Sequence, residues 1–173
     1  VEANVRGSAT VTPFINNISY NARGQRELIE YGNAIRTIYE YDPLTFRLTH
    51  MQTLRGSELL QDLSYTYDPV GNIIHIQDNA DIQNVIFFRN RRVEPSADYA
   101  YDAVYRLIEA IGREHLGQST GGALQPPAPI THTDVPRVNL PHPNDGNAMG
   151  NYIEQYEYDE VGNTLKIIHR GVD

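Results

Sequence analysis

A short phrase that returns five times along the chain constrains the fold more than any other feature of the sequence. Each copy opens on tyrosine: YNARGQRELI from Tyr20, YDPLTFRL from Tyr41, YDPVGNIIHI from Tyr67, YDAVYRLIEA from Tyr101 and YDEVGNTLKI from Tyr158. The intervals between these tyrosines are 21, 26, 34 and 57 residues. Because stacked solenoid repeats keep a stricter period, this spacing favours successive hairpins of one sheet.

The phrase reads as a strand, a tight turn and a second strand. Asp68 can accept a hydrogen bond from the backbone two residues on, Pro69 fixes its φ near about −65°, and Gly71 supplies a positive φ. These residues predict a type I turn closed by a glycine bulge. The motif residues to which we assign this structural role are Tyr41, Asp42, Tyr67, Asp68, Gly71, Asn72, Tyr101, Asp102, Tyr158, Asp159, Gly162 and Asn163.

Comparison of the copies gives two further expectations. Ile74 and Ile76 match Leu165 and Ile167, and the alternate positions drift to polar residues, so these four side chains are expected to face a core. Tyr105 stands where Gly71 does, and a bulky residue at positive φ costs energy, so a different turn is expected there.

The fold class predicted from these patterns is all-β, an antiparallel sheet of successive hairpins. The stretch RLIEAIGREHL from Arg106 is compatible with a helix, but its place in the repeat favours a strand. We divide the chain into hairpins over 1–114, a proline- and glycine-rich insertion over 115–151 and a final hairpin over 152–173. The insertion cannot hold a central strand or a long helix, and it is either a plain exposed loop or a functional one.

Composition excludes several classes of partner. The formal net charge of −8 opposes binding to a phosphate backbone, so no nucleic acid is expected. No apolar run is long enough to cross a bilayer, and the N-terminus lacks the plan of a signal peptide. The chain has no cysteine, which excludes disulfides and thiolate sites. It begins without Met, and we expect it to be a piece of a longer protein.

The sequence offers no catalytic or ligand-binding constellation. Its histidines, His50, His75, His115, His132, His142 and His169, lack metal-ligand spacing, so no metal and no cofactor are expected. The one open alternative is convergence of His132 and His142 with Asp134 or Asp145 in the insertion. GQSTGG lacks the lysine of a phosphate-binding loop, and Ser119 lacks a nucleophile elbow. The aspartates of the repeat are interpreted as turn formers rather than calcium ligands.

The unit Tyr-Asp-x-x-Gly-Asn resembles the YD repeat of RHS proteins. Longer phrases in the same order, among them YNARGQ, LLQDLSYTYDPVGNI, FFRNRRVEPSADYAYDAVYRLIEAIGREHLGQ and YIEQYEYDEVGN, resemble the RHS region of the B component of bacterial insecticidal Tc toxin complexes. The resemblance implies a curved panel of a spiral shell that encloses a cytotoxic effector. The autoproteolytic motif of the family belongs to the C-type component, and no matching aspartate pair occurs here.

The same resemblance implies partners and a location. The partners would be other RHS segments of the shell, the C-type toxin component with its enclosed effector and, indirectly, the pore-forming A component. The complex would be secreted. Two other classes remain open from the sequence: a carbohydrate-binding or cell-surface adhesion module that uses exposed tyrosines, and an enzyme. Isolated from its neighbours, such a panel is expected to self-associate through its edge strands.

Overall fold

The computed structural model describes residues 2–4, 11–80, 86–88, 90–115 and 148–172. All regular secondary-structure elements within these residues are β-strands, so the predicted all-β class is confirmed. Among them there is no helix with the length and apolar character needed to cross a membrane. The strands are β1 (Glu2–Asn4), β2 (Val11–Pro13), β3 (Ile15–Tyr20), β4 (Arg26–Tyr31), β5 (Ile35–Tyr41), β6 (Leu48–Arg55), β7 (Glu58–Tyr67), β8 (Ile73–Asp78), β9 (Ile86–Phe88), β10 (Arg91–Val93), β11 (Ser96–Tyr101), β12 (Leu107–His115), β13 (Met149–Tyr158) and β14 (Thr164–Val172).

The pairs β1–β2 and β9–β10 form separate two-stranded antiparallel sheets, and the strands from β3 to β7 and from β11 to β14 pair in longer antiparallel ladders. The chain divides into two compact units, Val1–Thr66 with Ile76–Gln83 and Tyr67–His75 with Asn84–Asp173. In the first unit, β3 to β7 are neighbours in chain order, and in the second unit β11 to β14 are. A succession of hairpins produces this order, because each new strand pairs with the strand that precedes it in the sequence.

The interior of the first unit is small and includes a satisfied polar group. Ile29 on β4 is buried, as is Thr37 on β5. The Thr37 hydroxyl lies 3.1 Å from that of Thr53, its direct partner on β6. Cross-strand threonine pairs of this kind stabilise a sheet while meeting the hydrogen-bonding needs of the buried hydroxyl.

In the second unit the buried apolar side chains are Val93, Ala110 and Ala148. The β9–β10 hairpin lies against β13. Gly112 on β12 faces Tyr152 on β13, and a Cβ at Gly112 would lie 2.8 Å from the Tyr152 hydroxyl. Glycine at position 112 therefore leaves the space that the Tyr152 ring occupies.

The predicted inward-facing positions are wrong for three of the four residues. Ile74, Leu165 and Ile167 are exposed, the latter two by 68% and 55%, and only Ile76 is half-buried. Alternation along a strand determines which side chains share a face, but it does not determine whether a second layer covers that face. Leu165 and Ile167 lie on β14, which within the described residues pairs with β13.

The stretch from Arg106 forms strand β12, as predicted. That strand ends at His115 and β13 begins at Met149, so the first residue and the last three residues of the predicted insertion belong to strands. Residues 116–147, which include His132, Asp134, His142, Asp145 and Ser119, lie outside the described part of the chain. The division into 1–114, 115–151 and 152–173 therefore stays a prediction.

Candidate functional site: the repeated turns and their tyrosines

The five copies of the phrase fold into five turns of one design. In each, the N–H of the first residue donates to the carbonyl of the last, and a later N–H donates back to the carbonyl of the first. The first of these bonds joins Asn21 to Gln25, Asp42 to Arg47, Asp68 to Asn72, Asp102 to Arg106 and Asp159 to Asn163, at 2.8–3.0 Å. The turn after Tyr41 is one residue longer, because Phe46 follows Thr45 where the other copies have one residue.

The first side chain of each turn closes it. Asp159 Oδ1 accepts from the backbone N–H groups of Val161 at 3.0 Å and Asn163 at 2.7 Å, and the Asn163 amide donates to Oδ2 at 2.7 Å. Asp68 is held in the same way by Gly71 and Asn72. Hydrogen bonds from Asn163 lower the pKa of Asp159, because they favour the charged carboxylate. Asp68 also accepts from the backbone of Val70, the bond predicted from the residue two positions on, as Asp159 does from Val161.

The position before the last residue of the turn has a positive φ. Gly71 and Gly162 take φ of 115° and 96°, as predicted. Tyr105 takes φ of 67°, and its N–H donates to the Asp102 carbonyl at 3.0 Å. The expectation of a different turn at Tyr105 is therefore wrong.

The contacts of Asp102 explain why a tyrosine is tolerated there. Its Oδ1 accepts from the N–H groups of Val104 and Arg106 at 2.9 Å each, and its Oδ2 accepts from Arg106 Nε at 2.7 Å. Together these bonds offset the left-handed conformation of Tyr105, which costs about 1–2 kcal/mol for a residue with a side chain. Phe46 is in the same conformation, with φ of 60°, in the turn closed by Asp42.

Three of the tyrosines that precede a turn contact the preceding hairpin. The hydroxyl of each donates to the carbonyl of the first residue after the preceding turn: Tyr41 to Arg26 at 2.9 Å, Tyr101 to Ile73 at 2.9 Å and Tyr158 to Leu107 at 2.8 Å. Sequence reasoning predicted a turn role for the motif but missed these bonds, because their acceptors are main-chain atoms on a neighbouring strand. Three repeats therefore bind the repeat before them through the same pair of atoms, a tyrosine hydroxyl and a main-chain carbonyl oxygen.

The last residue of the turn varies, and its contacts vary with it. Asn72 and Asn163 bond back to the aspartate of their own turn. Gln25 instead reaches forward and donates to the Phe46 carbonyl of the next turn at 2.8 Å. The Gln25 side chain thus links two neighbouring turns.

Arg106, the last residue of the fourth turn, makes a second forward contact. Its Nη1 donates to the Asp159 carbonyl at 3.1 Å, and its Cζ lies 5.0 Å from the centre of the Tyr158 ring. It therefore contacts both the tyrosine and the turn of the next repeat.

Three of the four histidines in the described part of the chain, His50, His75 and His169, contact carboxylates. His169 on β14 has Nδ1 2.8 Å from Glu154 Oε1 and Nε2 3.1 Å from Glu114 Oε2, and the Tyr152 ring stacks on it at 5.1 Å. Tyr156 donates to Glu154 Oε2 at 2.5 Å, and this bond raises the pKa of Tyr156 to about 12. Because both ring nitrogens of His169 contact carboxylates, neither is available to a metal.

His50 and His75 are paired in a similar way. His50 contacts Asp62 and lies 3.5 Å from Glu40, and His75 Nδ1 lies 2.7 Å from Asp98. The sequence contained part of this signal, because Glu40 faces His50 across the hairpin that the Asp42 turn closes. In the part of the chain that the structure describes, no group of three or more His, Asp or Glu side chains is arranged to hold a metal ion.

The first unit also has an open depression of about 440 Å³. Its lining is neutral and consists of Tyr31, Asn33, Ile35, Thr37, Tyr39, Met51, Thr53 and Gln61. Burial raises the pKa of Tyr39. A lining of this kind has neither a carboxylate nor a histidine to act as a general base near neutral pH.

Comparison with known proteins gives a consistent result, although no protein-family model matches the chain. The toxin subunits YenC2 and YenC1 of Yersinia entomophaga are each 37% identical to it, over 158 and 161 residues that make up 88% and 90% of this chain. The chain spans only 15% of the length of each subunit.

Solved structures agree in both fold and sequence. The Photorhabdus luminescens Tc holotoxin pore with a mutated TccC3 matches 98% of this chain at a TM-score of 0.70 and 37% identity, and the match covers 7% of that chain. The crystal structure of TcdB2–TccC3 matches 98% of this chain with the same score and identity and covers 8% of that chain. The chain is a YD-repeat segment of the RHS type and is similar to the RHS region of Tc toxin components.

Proposed function

We propose that this chain is a non-catalytic structural segment of a toxin complex and forms part of the wall that encloses a cytotoxic effector. The observation that carries the proposal is the repeated bond from a motif tyrosine to the preceding hairpin. A bond between one repeat and the preceding repeat can form again with every added hairpin. The sheet can therefore grow by any number of strands, as a large wall requires. The likeness to toxin subunits over nearly the whole chain supports the same role.

The twelve motif residues are, in this proposal, structural rather than catalytic. The carboxylates of Asp68, Asp102 and Asp159 are occupied by N–H groups of their own turns. A carboxylate held by two or three such donors is stabilised as the anion and is a poor general base. The comparisons do not favour the alternative of a carbohydrate-binding or adhesion module.

The partners follow from the relatives. The solved neighbours contain TcdB2 and TccC3 together. We propose that this segment contacts other RHS segments of the same shell and the C-type component with its enclosed effector, and is linked through the assembly to the pore-forming A component. Release of the assembled complex from the cell would make the segment extracellular.

Protease protection tests the proposal. The complete subunit that contains this segment is co-expressed with its partner component, and the complex is treated with protease before and after unfolding in denaturant. We expect the effector to resist cleavage in the folded complex and to be cut rapidly once the complex is unfolded. An effector that is cut equally fast in both states would refute the enclosing role.

A further inference from the structure

His169 joins two strands that each pair with β13 from opposite sides. β12 and β14 both form their ladder of backbone hydrogen bonds with that strand. His169 on β14 lies directly opposite Glu154 on β13, and its ring also reaches Glu114 on β12. The side chains of His169 and Glu114 are each 21% exposed and that of Glu154 is 27% exposed, so water screens their contacts only in part. The ring is therefore a side-chain link across three strands.

The geometry of this link fits the charged form of the imidazole. A neutral imidazole has one N–H, so one nitrogen donates and the other presents a lone pair, whereas the imidazolium donates from both nitrogens. Nδ1 of His169 lies 2.8 Å from Glu154 Oε1, and Nε2 lies 3.1 Å from Glu114 Oε2. A carboxylate oxygen only accepts. Loss of the ring proton therefore breaks one of the two hydrogen bonds and leaves a lone pair against an anionic oxygen.

The other groups that face the ring are tyrosines. Tyr156 on β13 donates to Glu154 Oε2 at 2.5 Å, and the Tyr152 ring stacks on the imidazole at 5.1 Å. Burial acts to raise the pKa of Glu154, but the hydrogen bonds from Tyr156 and His169 outweigh burial and lower it. Burial, both carboxylates and Tyr99 raise the pKa of Tyr152. An imidazole is the side chain that ordinarily changes its charge between about pH 5 and about pH 8, so His169 is the group of this cluster suited to respond there.

We propose that His169, Glu154 and Glu114 form a pH-dependent clamp that fastens β14 to β12 and loosens as the pH rises above neutrality. The clamp is closed while the ring carries its proton, because both carboxylates then accept a charge-assisted hydrogen bond from it. Once the proton is lost, the link across three strands is broken whichever nitrogen keeps its hydrogen. This inference adds a response to pH and does not depend on the enclosing role.

His75 provides a matched contrast. Its Nδ1 lies 2.7 Å from Asp98 Oδ1, and its side chain is 36% exposed. A neutral imidazole can still donate to one carboxylate, so proton loss does not require this bond to break. The clamp therefore predicts a response at β14 that a change at His75 leaves intact.

Amide hydrogen exchange of the complete toxin complex, followed by mass spectrometry of its peptides, tests the clamp. Exchange is compared at about pH 5.5 and about pH 8, with exposure times scaled for the intrinsic effect of pH and extended until the amides of β14 exchange. Peptides of β3 and β4, which contain no histidine, are the reference. Relative to that reference, we expect β14 to exchange on the order of fivefold faster at the higher pH, because its opening costs less free energy once one hydrogen bond is lost.

Glu114→Gln separates the effect of the proton from the rest of the contact. A glutamine amide both donates and accepts, so it can bond to Nε2 of a charged or a neutral ring. The response of β14 to pH should therefore disappear in Glu114→Gln and persist in His75→Gln. The clamp would be overturned if β14 in the unsubstituted complex responds no more than the reference, or if the full response remains in Glu114→Gln. Loss of the response in His75→Gln would likewise count against it.

Discussion

Replacing Arg106 with asparagine separates the contact between repeats from the closure of a single turn. Asparagine is the residue at the same position in two other copies, where Asn72 and Asn163 donate to the aspartate of their own turn. Arg106→Asn should therefore keep the Asp102 turn closed. What it removes is the forward contact with the Asp159 carbonyl and the Tyr158 ring.

The expected loss follows from the contacts removed. A hydrogen bond from a charged donor contributes about 1.5–3 kcal/mol, but the Arg106 side chain is 35% exposed, so the lower end of that range is appropriate. The cation–π contact with Tyr158 adds about 0.5 kcal/mol at a partly exposed site. The ion pair with Asp102 is replaced by an amide–carboxylate bond at little net cost. We expect the free energy of unfolding to fall by about 2 kcal/mol.

Equilibrium urea unfolding measures this loss. Arg170→Asn is the matched control, because Arg170 is exposed and its replacement removes the same charge with an expected change within about 0.5 kcal/mol. A double-mutant cycle of Arg106→Asn with Tyr158→Leu should give a coupling energy of about 0.5–1 kcal/mol. If Arg106→Asn destabilises no more than Arg170→Asn, the forward contact does not stabilise the repeat and the reasoning fails.

Three further predictions concern the same turns. Tyr158→Phe removes the hydroxyl that bonds to Leu107 and should lower the free energy of unfolding by about 1 kcal/mol. Tyr20→Phe, at the exposed tyrosine of the first copy, should leave the free energy of unfolding nearly unchanged. Equal effects of the two variants in urea unfolding would contradict the inter-repeat bond. Tyr105→Gly should raise the free energy of unfolding by about 0.5–1 kcal/mol, because the cost of a positive φ at tyrosine exceeds the cost of ordering the more flexible glycine backbone. A lower thermal midpoint for this variant would contradict the prediction. The pKa values of the turn aspartates, including Asp159, are lowered on folding below 3.8, so their contribution is present above that value and is lost as pH falls through the folded pKa. Thermal unfolding between about pH 6 and about pH 3 should show this loss, and Asp159→Asn should flatten it; an unchanged pH dependence in the variant would contradict the assignment.

The turns were predictable because their chemistry is local. An aspartate, a proline and a glycine within four residues specify the backbone of the Asp68 turn, and the repetition of that pattern specifies the succession of antiparallel hairpins. Part of the side-chain pairing was accessible by the same route, since a turn fixes the register of its own hairpin and so places Glu154 opposite His169. The one local prediction that failed, at Tyr105, weighed the cost of positive φ without the compensating bonds to Asp102.

Contacts between hairpins required the tertiary structure. Glu114 reaches His169 only because β12 pairs with β13 across residues 116–147, and no local pattern specifies a pairing over that separation. The exposure of Leu165 and Ile167 likewise depends on whether another layer covers their face of the sheet. The alternation of apolar and polar residues along a strand does not predict such a layer. By itself the sequence determined the repeated turn and the antiparallel strands, because these depend on backbone preferences within a few residues. The tertiary structure decided which main-chain carbonyls Tyr41, Tyr101 and Tyr158 bind, because these bonds exist only between atoms of hairpins already placed side by side.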